Sequence, residues 1–377
     1  MVSRLLFGLV VLPLSLQYSS SALSNPPEEF GGGGLQQPSP PPTSSGLRVG
    51  FYQYTCPNAE AIVRDEMAKI ISRVPSLAGP LLRMHFHDCF VNGCDGSVLL
   101  NSTVPGLPSE KEAIPNLTLR GFGTVDRVKA KLEQACPGVV SCADILALVA
   151  RDVVVLDDYW RWPNYCFLCY CVRATYVRVR QTKGPHWDVP TGRRDGRRSV
   201  KQDALDNLPA PFFDAGRNLY QFFIPKGLDA KDQVVLLGAH TLGTSHCSSF
   251  ADRLYNFSGT TAADPSLDRR YLPRLKSKCG SPGDTTTLVE MDPGSFRTFD
   301  ASYYRRVARG RSLFASDQTL MNDPAARAYV QRQAGAGAGA YPAEFFADFA
   351  KSMVKMGAVQ VLTGAQGEVR RHCAAVN

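Results

Sequence analysis

One stretch decides the fold and suggests the chemistry: Gly79-Pro80-Leu81-Leu82-Arg83-Met84-His85-Phe86-His87-Asp88-Cys89-Phe90. A proline such as Pro80 is typical of a first helical turn, so the pattern predicts a helix that runs on from it. Arg83 and His87 then lie one turn apart on one face of that helix. A fixed cation beside a titratable base suits cleavage of a bond whose leaving group gains negative charge while a proton moves.

The other histidine of this stretch, His85, is predicted to be structural. It is two positions from His87, and side chains at that spacing point to nearly opposite sides of a helix. The pair is therefore a poor chelate, which disfavours a metal site built on these two rings.

A second candidate histidine, His240, ends the apolar run Val234-Val235-Leu236-Leu237-Gly238-Ala239. On its own, a histidine there is more often a core residue than a ligand. Together with the Arg83 and His87 face it becomes a candidate metal ligand. Asp317 supplies a carboxylate of the kind that commonly bonds the far nitrogen of a metal-bound histidine and raises its basicity.

The N-terminus predicts export. Residues 1–22 resemble a signal peptide, with Arg4 before an apolar run over residues 5–16 and small residues at 20–22. The alternative is an N-terminal membrane anchor. No other apolar run approaches membrane length, so the sequence predicts an exported chain without a membrane span.

The cysteines agree with an oxidising compartment. Eight of the 11 lie outside residues 157–181, and an even set in an exported protein favours a disulfide framework whose pairing the sequence leaves open. Three N-glycosylation sequons, at Asn101, Asn116 and Asn256, fit the same route.

The charge of the chain excludes one class of partner. The formal net charge is +8, but Lys and Arg are scattered without a basic stripe interleaved with aromatic residues. Nucleic acid is therefore not an expected partner. The net positive charge either serves to keep the protein soluble or serves to retain it on an acidic cell-wall polysaccharide.

The chain is predicted to have one folded domain. Residues 23–45 are rich in Pro, Gly and Ser and are expected to be disordered, as a linker or a wall-binding tail. Residues 46–377 form the expected domain, which is mostly α-helical. Beyond the opening stretch, helical spacing predicts helices over residues 59–74, 119–134, 141–156, 229–240, 298–309 and 342–357.

Several motifs together carry a family resemblance. They are Phe51-Tyr52 through Cys56-Pro57, Arg83 through Gly96, Glu110-Lys111, Arg120-Gly121-Phe122, Val140-Ser141-Cys142-Ala143-Asp144, Gly192-Arg193-Arg194-Asp195, Leu208-Pro209-Ala210-Pro211, Gly238 through Gly243 and Ser316-Asp317-Gln318. In this order they resemble the plant secretory (class III) haem peroxidases of the horseradish type. The resemblance implies a two-lobed, mostly α-helical fold with one haem b between a distal and a proximal lobe.

The resemblance also implies roles for individual residues. His240 would be the axial ligand of the haem iron, with Asp317 as its hydrogen-bond partner. On the distal side, His87 would move the proton of hydrogen peroxide, and Arg83 would stabilise the departing oxygen. The distal network would also include Asn116, which sets the tautomer of His87, and Glu110 behind it. Phe86 would pack beside the haem, and the Pro209 carbonyl would help to hold a phenolic donor.

Two calcium ions and four disulfides follow from the same resemblance. The first ion would bind Asp88, Val91, Gly93, Asp95 and Ser97, a set that would otherwise be taken for an ordinary Asp/Gly turn. The second would bind Thr241, Asp292, Ser295, Thr298 and Asp300, beside His240. The disulfides would be Cys56–Cys136, Cys89–Cys94, Cys142–Cys373 and Cys247–Cys279. Because Asn116 is expected to be packed near His87, glycan is predicted at Asn101 or Asn256 instead.

Residues 157–181 depart from the family pattern. They contain Trp160, Trp162, Cys166, Cys169 and Cys171, and they resemble nothing in the family. A retained intron or gene-model error is favoured over a genuine surface loop, and a metal site is disfavoured because no histidine or fourth cysteine accompanies the three. Leu242 and Met291 are smaller apolar departures near the proximal side.

The sequence therefore predicts a secreted, monomeric haem peroxidase of the apoplast or cell wall. It would reduce hydrogen peroxide and oxidise small phenolic donors by one-electron steps. The chain ends four residues after Cys373, without a tail that would suggest a vacuole. Its rivals are a catalytically impaired wall protein, disabled by residues 157–181, and an intracellular peroxidase of the ascorbate type, which the leader and the cysteines oppose.

Overall fold

The computed structural model describes residues 46–155, 182–335 and 342–377. The predicted leader (residues 1–22), the Pro/Gly/Ser-rich segment (residues 23–45) and the atypical segment (residues 157–181) lie outside the described residues.

The described residues form a mostly α-helical fold, as predicted, with a single two-stranded antiparallel sheet among them. The helices are α1 Ala59–Arg73, α2 Ala78–Val91, α3 Phe122–Ala135, α4 Cys142–Val155, α5 Lys201–Asn207, α6 Ala215–Asn218, α7 Ala230–Leu237, α8 Ala251–Tyr255, α9 Leu272–Lys278, α10 Ser302–Ala308, α11 Ala315–Gln318, α12 Pro324–Gly335 and α13 Ala343–Met356. The strands are β1 Thr244–His246 and β2 Leu288–Glu290.

Helix α4 is the centre of the main core. Every residue from Cys142 to Val154 is buried, as its apolar sequence predicts. Helices α1, α2 and α3 pack around it, while α10 packs on α12 and α7 on α13. A smaller core contains Phe250, Leu254 and the Cys247–Cys279 disulfide, and we call it the satellite core.

Two predicted helices begin later than their sequence patterns suggest. The helix expected from residue 119 begins at Phe122 because Gly121 adopts φ +108°, and a Cβ there would lie 2.6 Å from Leu81 Cδ2. The helix expected from residue 298 begins at Ser302, since residues 295–300 form a turn that bonds Thr241. The predicted helix over residues 229–240 is α-helical to Leu237 and tightens into a 3₁₀ turn over Gly238–Thr241.

Within the described ranges, four disulfides join the helices and loops. They are Cys56–Cys136, Cys89–Cys94, Cys142–Cys373 and Cys247–Cys279, the pairs that the family resemblance implies. The first links the loop before α1 to the end of α3, and the third ties the start of α4 to the C-terminal segment. Cross-links that close long loops restrict the unfolded chain most.

The first turn of α2 touches the segment that follows His240. A Cβ placed on Gly79 would lie 3.2 Å from Gly243 Cα, which is tighter than most Cβ contacts, so a glycine favours this close approach of the two backbones. Gly243 adopts φ +90° and is held by Phe296, whose carbonyl accepts its N–H. The helix that carries Arg83 and His87 is thus set directly against the His240 segment.

Thr182, the first described residue after the atypical segment, is held against the end of α4. The Thr182 hydroxyl lies 2.8 Å from the carbonyl oxygens of both Val153 and Val154. The Gly184 N–H also donates to the Val154 carbonyl at 2.8 Å. The first described residues after the atypical segment are therefore bonded to the last turn of α4.

Among the described residues, no helix is both long and apolar enough to cross a lipid bilayer.

Candidate functional site

The distal side is built on α2, which buries His87 and leaves Arg83 and Phe86 half-buried. His87 Nδ1 lies 2.6 Å from Asn116 Oδ1. Asn116 Nδ2 donates to the main-chain carbonyl of Glu110 at 2.7 Å, which fixes the orientation of the amide. Because Asn116 thus presents its oxygen to His87, Nδ1 of the imidazole carries the hydrogen. Nε2 of His87 is left as the proton acceptor.

Glu110 takes part in this network through its backbone. Its carboxylate accepts a hydrogen bond from Asn92 Nδ2 at 3.0 Å instead, and its Oε2 atom is buried without a partner among the described residues. Burial raises the pKa of this carboxyl to about 8. The Glu110 side chain is therefore placed behind the network and does not bond Asn116.

Arg83 brings an unpaired cation to the same side. Its Nη2 donates to the Pro115 carbonyl at 2.8 Å and its Nη1 to Thr118 Oγ1 at 2.9 Å. No described carboxylate forms an ion pair with it. Burial lowers the pKa of Arg83 to about 10, so the group stays charged at neutral pH. Thr118, whose role at this site the residue pattern does not reveal, helps to orient this guanidinium.

The surroundings of His87 favour its neutral form. Burial lowers the pKa of His87 well below its usual value, and the charge of Arg83 lowers it further, although the Asn116 hydrogen bond opposes both. A neutral imidazole beside a fixed cation is the arrangement required to take a proton and to stabilise an anion.

His85 does not join this group. Its ring nitrogens lie 3.6 and 3.8 Å from Cys89 Sγ, on the disulfide side of α2. Burial, with a contribution from Arg193, lowers the pKa of His85 to about 3. A buried, neutral ring in van der Waals packing is the structural role that its spacing predicts.

On the proximal side, His240 lies in the 3₁₀ turn after α7, and its Nδ1 is 2.8 Å from Asp317 Oδ1. Asp317 is fully buried, and its Oδ1 also accepts a hydrogen bond from the Tyr303 hydroxyl at 3.0 Å. The His240 side chain is 31% exposed, so its other face is open. Sequence reasoning missed Tyr303, because two adjacent tyrosines in a helix look like ordinary core residues.

The first candidate calcium set lies in the loop after α2. Asp88 accepts N–H groups from Gly96 at 2.9 Å and Val98 at 3.4 Å, and Asp95 accepts that of Ser97 at 2.9 Å. The Ser97 hydroxyl is buried and has no hydrogen-bond partner. Burial, together with the charge of Asp95, raises the pKa of Asp88 well above its usual value. Two crowded carboxylates and an unused hydroxyl fit a hard cation.

The second candidate set surrounds Thr241. Its hydroxyl lies 3.4 Å from the Thr298 carbonyl and from Asp300 Oδ1, and Ser295 donates to Asp300 Oδ2 at 2.7 Å. Asp292 belongs to the set but already accepts from Arg306 Nε at 3.0 Å. The Ser302 hydroxyl, another residue that the sequence did not reveal, bonds both Asp292 and Asp300.

The two sets therefore fit a cation to different degrees. In the Asp88 set an oxygen is unsatisfied, whereas in the Thr241 set both carboxylates have partners within the protein. The described parts of the chain contain no group of three or more His, Cys, Asp or Glu side chains arranged as a metal site. Each set would rely on carbonyl and hydroxyl oxygens, which calcium accepts.

Other motif residues serve the fold. Asp144, in the first turn of α4, accepts hydrogen bonds from the Tyr52 hydroxyl at 2.6 Å and from Arg193 Nη1 at 2.7 Å. Asp195 accepts the N–H groups of Cys142 and Ala143 at 3.1 and 2.9 Å, and so caps α4. These two buried carboxylates fix the start of α4 and do not contact Arg83, His87 or His240.

Pro209 follows α5, and its carbonyl accepts no hydrogen bond from the described residues. The same segment continues to Phe212, whose ring is 58% exposed. A cavity of about 430 Å³ lies next to it, lined by Phe212, Ser248, Ser249, Asp252, Phe257, Ser258 and Ala315. The Ser316 N–H bonds the Pro211 carbonyl at 3.1 Å, which links this segment to the Asp317 helix α11.

The donor sets suit a haem group. A neutral imidazole with a buried carboxylate on its far nitrogen is a common iron ligand, and Phe86 offers a half-buried ring next to His87. Since Nδ1 of His240 is bonded to Asp317, its Nε2 is the atom available to iron. Such a site defines a class of enzyme that uses a bound cofactor to split a peroxide bond.

Comparison with known proteins agrees with this class. A family model described as peroxidase matches residues 63–336. The chain is 55% identical to Peroxidase 1 of Oryza sativa subsp. japonica over 338 residues, which cover 89% of this chain and 94% of that protein. It is 51% identical to Peroxidase 39 of Arabidopsis thaliana over 332 residues, 88% of this chain and 93% of that protein. It is 50% identical to Peroxidase 3 of the same plant, with 88% and 92% covered.

The chain belongs to the peroxidase family, as one of the plant class III members. It is a haem peroxidase that acts on hydrogen peroxide. The family resemblance stated from the motifs is therefore confirmed, and neither the fold nor the comparisons favour the catalytically impaired alternative.

Proposed function

We propose that this peroxidase oxidises small phenolic donors by one-electron steps, with His87, Arg83, Asn116, Glu110 and Asp317 in the roles that the family resemblance implies. The observation that carries the proposal is the distal arrangement. A neutral imidazole, its tautomer fixed by Asn116, lies one helical turn from an uncompensated guanidinium.

The distal residues handle the proton and the charge of hydrogen peroxide. His87 Nε2 takes the proton from one peroxide oxygen and returns it to the other, which leaves as water. Arg83 stabilises the negative charge that builds on the leaving oxygen before the proton arrives. Asn116 keeps hydrogen on Nδ1, so that Nε2 is always the atom that accepts.

The proximal residues would hold one haem b through His240 Nε2. When bound, the haem would accept oxidising equivalents from hydrogen peroxide and pass them to the donors. Asp317 holds the His240 ring by its Nδ1–H and increases the basicity of the imidazole. The two calcium ions would bind the Asp88 and Thr241 sets and brace α2 and the His240 turn.

The donor site is proposed at Pro209. Its unengaged carbonyl can accept a phenolic hydroxyl, and the cavity beside Phe212 offers aromatic contact and serine hydroxyls. Two aromatic rings, Phe212 and Phe257, lie among serine hydroxyls and the Asp252 carboxylate in this cavity, and this mixed lining suits a small aromatic donor that carries a hydroxyl.

The proposed location is the apoplast or cell wall, reached through a signal peptide at residues 1–22. The protein would act as a monomer, and its positive charge would allow contact with acidic wall polysaccharide. Residues 46–377 would form the catalytic domain, with residues 23–45 as a linker.

Glycan is expected at Asn101 or Asn256 and not at Asn116. The first two side chains are exposed, whereas Asn116 is buried and both of its amide atoms are engaged by His87 and Glu110. Peptide mapping of the secreted protein, with and without glycosidase, measures occupancy at each site. Glycan on Asn116 would contradict the proposed distal network.

The test of the proposed function is an absorption spectrum of the secreted protein before and after one equivalent of hydrogen peroxide. A haem band that changes with peroxide and returns on addition of a phenol is the expected result. A haem spectrum that does not change on addition of peroxide would overturn the proposed roles of His87 and Arg83.

A variant that lacks residues 157–181 is the matched control. Since Thr182 bonds the carbonyls of Val153 and Val154 at the end of α4, the deletion is expected to keep both haem binding and activity. Activity that is absent in the full chain and recovered only on deletion would favour the impaired alternative.

A further inference from the structure

The proximal side continues into three buried tyrosines that the reaction proposed above does not use. We call Tyr303, Tyr304 and Tyr329 the tyrosine row. The ring centroids of Tyr303 and Tyr304 are 5.0 Å apart, and those of Tyr304 and Tyr329 are 5.7 Å apart. The Tyr303 ring centroid is 6.1 Å from that of His240. The row is therefore a continuous path of oxidisable rings from the candidate iron ligand into the contact between α10 and α12.

The hydroxyl groups of the row have different acceptors. Tyr303 donates to Asp317 Oδ1 at 3.0 Å, and Tyr329 donates to Asp348 Oδ2 at 3.2 Å. The middle residue, Tyr304, donates to the Val234 carbonyl at 3.1 Å. A carboxylate can accept a proton and an amide carbonyl cannot. A neutral tyrosyl radical can thus form at either end of the row. Tyr304 has no acceptor for its proton, so it can relay an electron but cannot hold a neutral radical.

The two ends are not equivalent. Protonation of Asp317 would weaken its bond to His240, so a radical at Tyr303 disturbs the iron ligand. Asp348 does not bond the iron ligand, and its Oδ1 accepts a hydrogen bond from Lys231 Nζ at 2.9 Å. The Arg332 guanidinium lies 5.3 Å from the Tyr329 ring centroid and disfavours a positively charged ring. Transfer of the Tyr329 proton to Asp348 removes that charge.

The resting row is fully protonated. Burial raises the pKa of Tyr303, Tyr304 and Tyr329 above the ordinary tyrosine value. Each ring is therefore a neutral phenol, and its proton has to leave when an electron is lost. The other aromatic side chain on this path, Phe345, is far harder to oxidise than tyrosine, although it packs 5.1 Å from Tyr304.

We propose that the tyrosine row gives one electron to the peroxide-oxidised cofactor when no donor is present. The resulting neutral radical is located on Tyr329. The proposal rests on the proposed function, which supplies the oxidant. One electron moves from Tyr329 through Tyr304 and Tyr303 to the cofactor, and the Tyr329 hydroxyl proton moves to Asp348 Oδ2. The cofactor is reduced by one electron and Tyr329 is oxidised by one. The row thereby protects the cofactor during peroxide excess.

The test mixes the haem-loaded enzyme with one equivalent of hydrogen peroxide without a donor. Rapid freezing and electron paramagnetic resonance then record any radical, and a spin trap followed by peptide mass spectrometry locates it. The wild type is expected to show a tyrosyl signal and an adduct on Tyr329. In Tyr329→Phe the adduct is expected to be lost or to move to Tyr303, and the number of turnovers before inactivation is expected to fall several-fold.

Two further variants make the test specific. Tyr271→Phe is the matched control, because Tyr271 is a buried tyrosine of the satellite core whose hydroxyl has no described partner. It is expected to behave as the wild type. Asp348→Asn keeps the shape of the proton acceptor but not its basicity, and it is expected to prevent the radical from settling on Tyr329. An adduct that lies elsewhere in the wild type, or a Tyr329 adduct that survives Asp348→Asn, overturns the proposal.

A phenol added with peroxide separates the two proposals. If the wild type consumes peroxide with a phenol but forms no radical on the row without one, the inference fails and the proposed function stands. If it does not react with peroxide at all, the proposed function fails first.

Discussion

The distal and proximal sides of the site are built in opposite ways. The distal groups come from one stretch, residues 83–118, and main-chain carbonyls hold them: that of Glu110 fixes Asn116, and that of Pro115 fixes Arg83. The proximal groups come from three separate segments. They depend on bonds between side chains, from His240 to Asp317 and from Asp317 to Tyr303.

This difference predicts how each side responds to substitution. A backbone carbonyl keeps its position when a neighbouring side chain changes, so distal substitutions should alter the proton chemistry and little else. A buried carboxylate that serves two donors couples them, so a change at Asp317 should reach both His240 and Tyr303.

The largest effect is expected from His87→Ala on the distal side. Loss of the proton acceptor should lower the second-order rate constant for hydrogen peroxide by about 10⁴-fold. The haem spectrum of the resting enzyme should not change, because His240 and Asp317 are untouched. Stopped-flow absorption measures both quantities. A fall of less than tenfold would show that His87 is not the principal base.

Asp317→Asn is the proximal counterpart. It removes the negative charge behind His240, so activity should fall by about 10- to 100-fold and the midpoint potential of the haem should rise. Tyr303 should also be disturbed, which ultraviolet resonance Raman spectroscopy of the tyrosines can detect. An unchanged midpoint potential would contradict the proposed effect of Asp317 on His240.

The calcium sets allow a matched pair of variants. Ser97→Ala removes a hydroxyl without a partner, so the stability of the calcium-free protein should not change. Ser295→Ala removes the bond to Asp300 and should cost about 1 kcal/mol. Calcium at ten times its dissociation constant should add about 1.4 kcal/mol, or about 3 °C in Tm, to the wild type.

Calorimetry with and without a chelator measures these differences. The calcium-dependent rise in Tm should shrink more in Ser97→Ala than in Ser295→Ala, because the distal set has the unsatisfied oxygen. The reverse order would show that the Thr241 set dominates calcium binding.

The smallest effect concerns acid stability of the satellite core on the proximal side. Asp264 accepts a hydrogen bond from the buried Arg253 at 2.7 Å. Burial alone would raise the pKa of Asp264, but hydrogen bonds from Ser266 and Arg253 outweigh it and the pKa is lowered. A lowered folded-state pKa stabilises the protein above the unfolded value, near 3.9, and the benefit is lost as the pH falls through the folded value.

Asp264→Asn should therefore lower the free energy of unfolding by about 1 kcal/mol at pH 7. The difference from the wild type should shrink at pH values below the folded-state pKa of Asp264. Urea unfolding across this pH range measures both. A difference that grows in acid would contradict the direction of the pKa shift.

The sequence predicted the distal side better than the proximal side for a physical reason. Arg83 and His87 share one helix, so helical geometry alone places them together. Nothing local brings His240 to Asp317, and that pair depended on the family resemblance. Ser302 and Tyr303 escaped notice because their roles arise only when α10 packs beside the His240 turn.

Local patterns also failed where tertiary contacts override them. Helix α10 begins at Ser302 because the residues before it are occupied in bonding Thr241. The family resemblance placed Glu110 behind Asn116 without specifying the contact, which its main-chain carbonyl makes, and backbone roles leave no signature in residue type.

The contact between Gly79 and Gly243 has a consequence for protein engineering. A Cβ on Gly79 would lie 3.2 Å from Gly243 Cα, and Gly243 needs a backbone conformation that other residues rarely adopt. These two positions therefore act as a fixed spacer between the helix of His87 and the turn of His240. Substitutions that reshape the proposed donor cavity beside Phe212 would leave this contact, and with it the spacing of the two segments, unchanged.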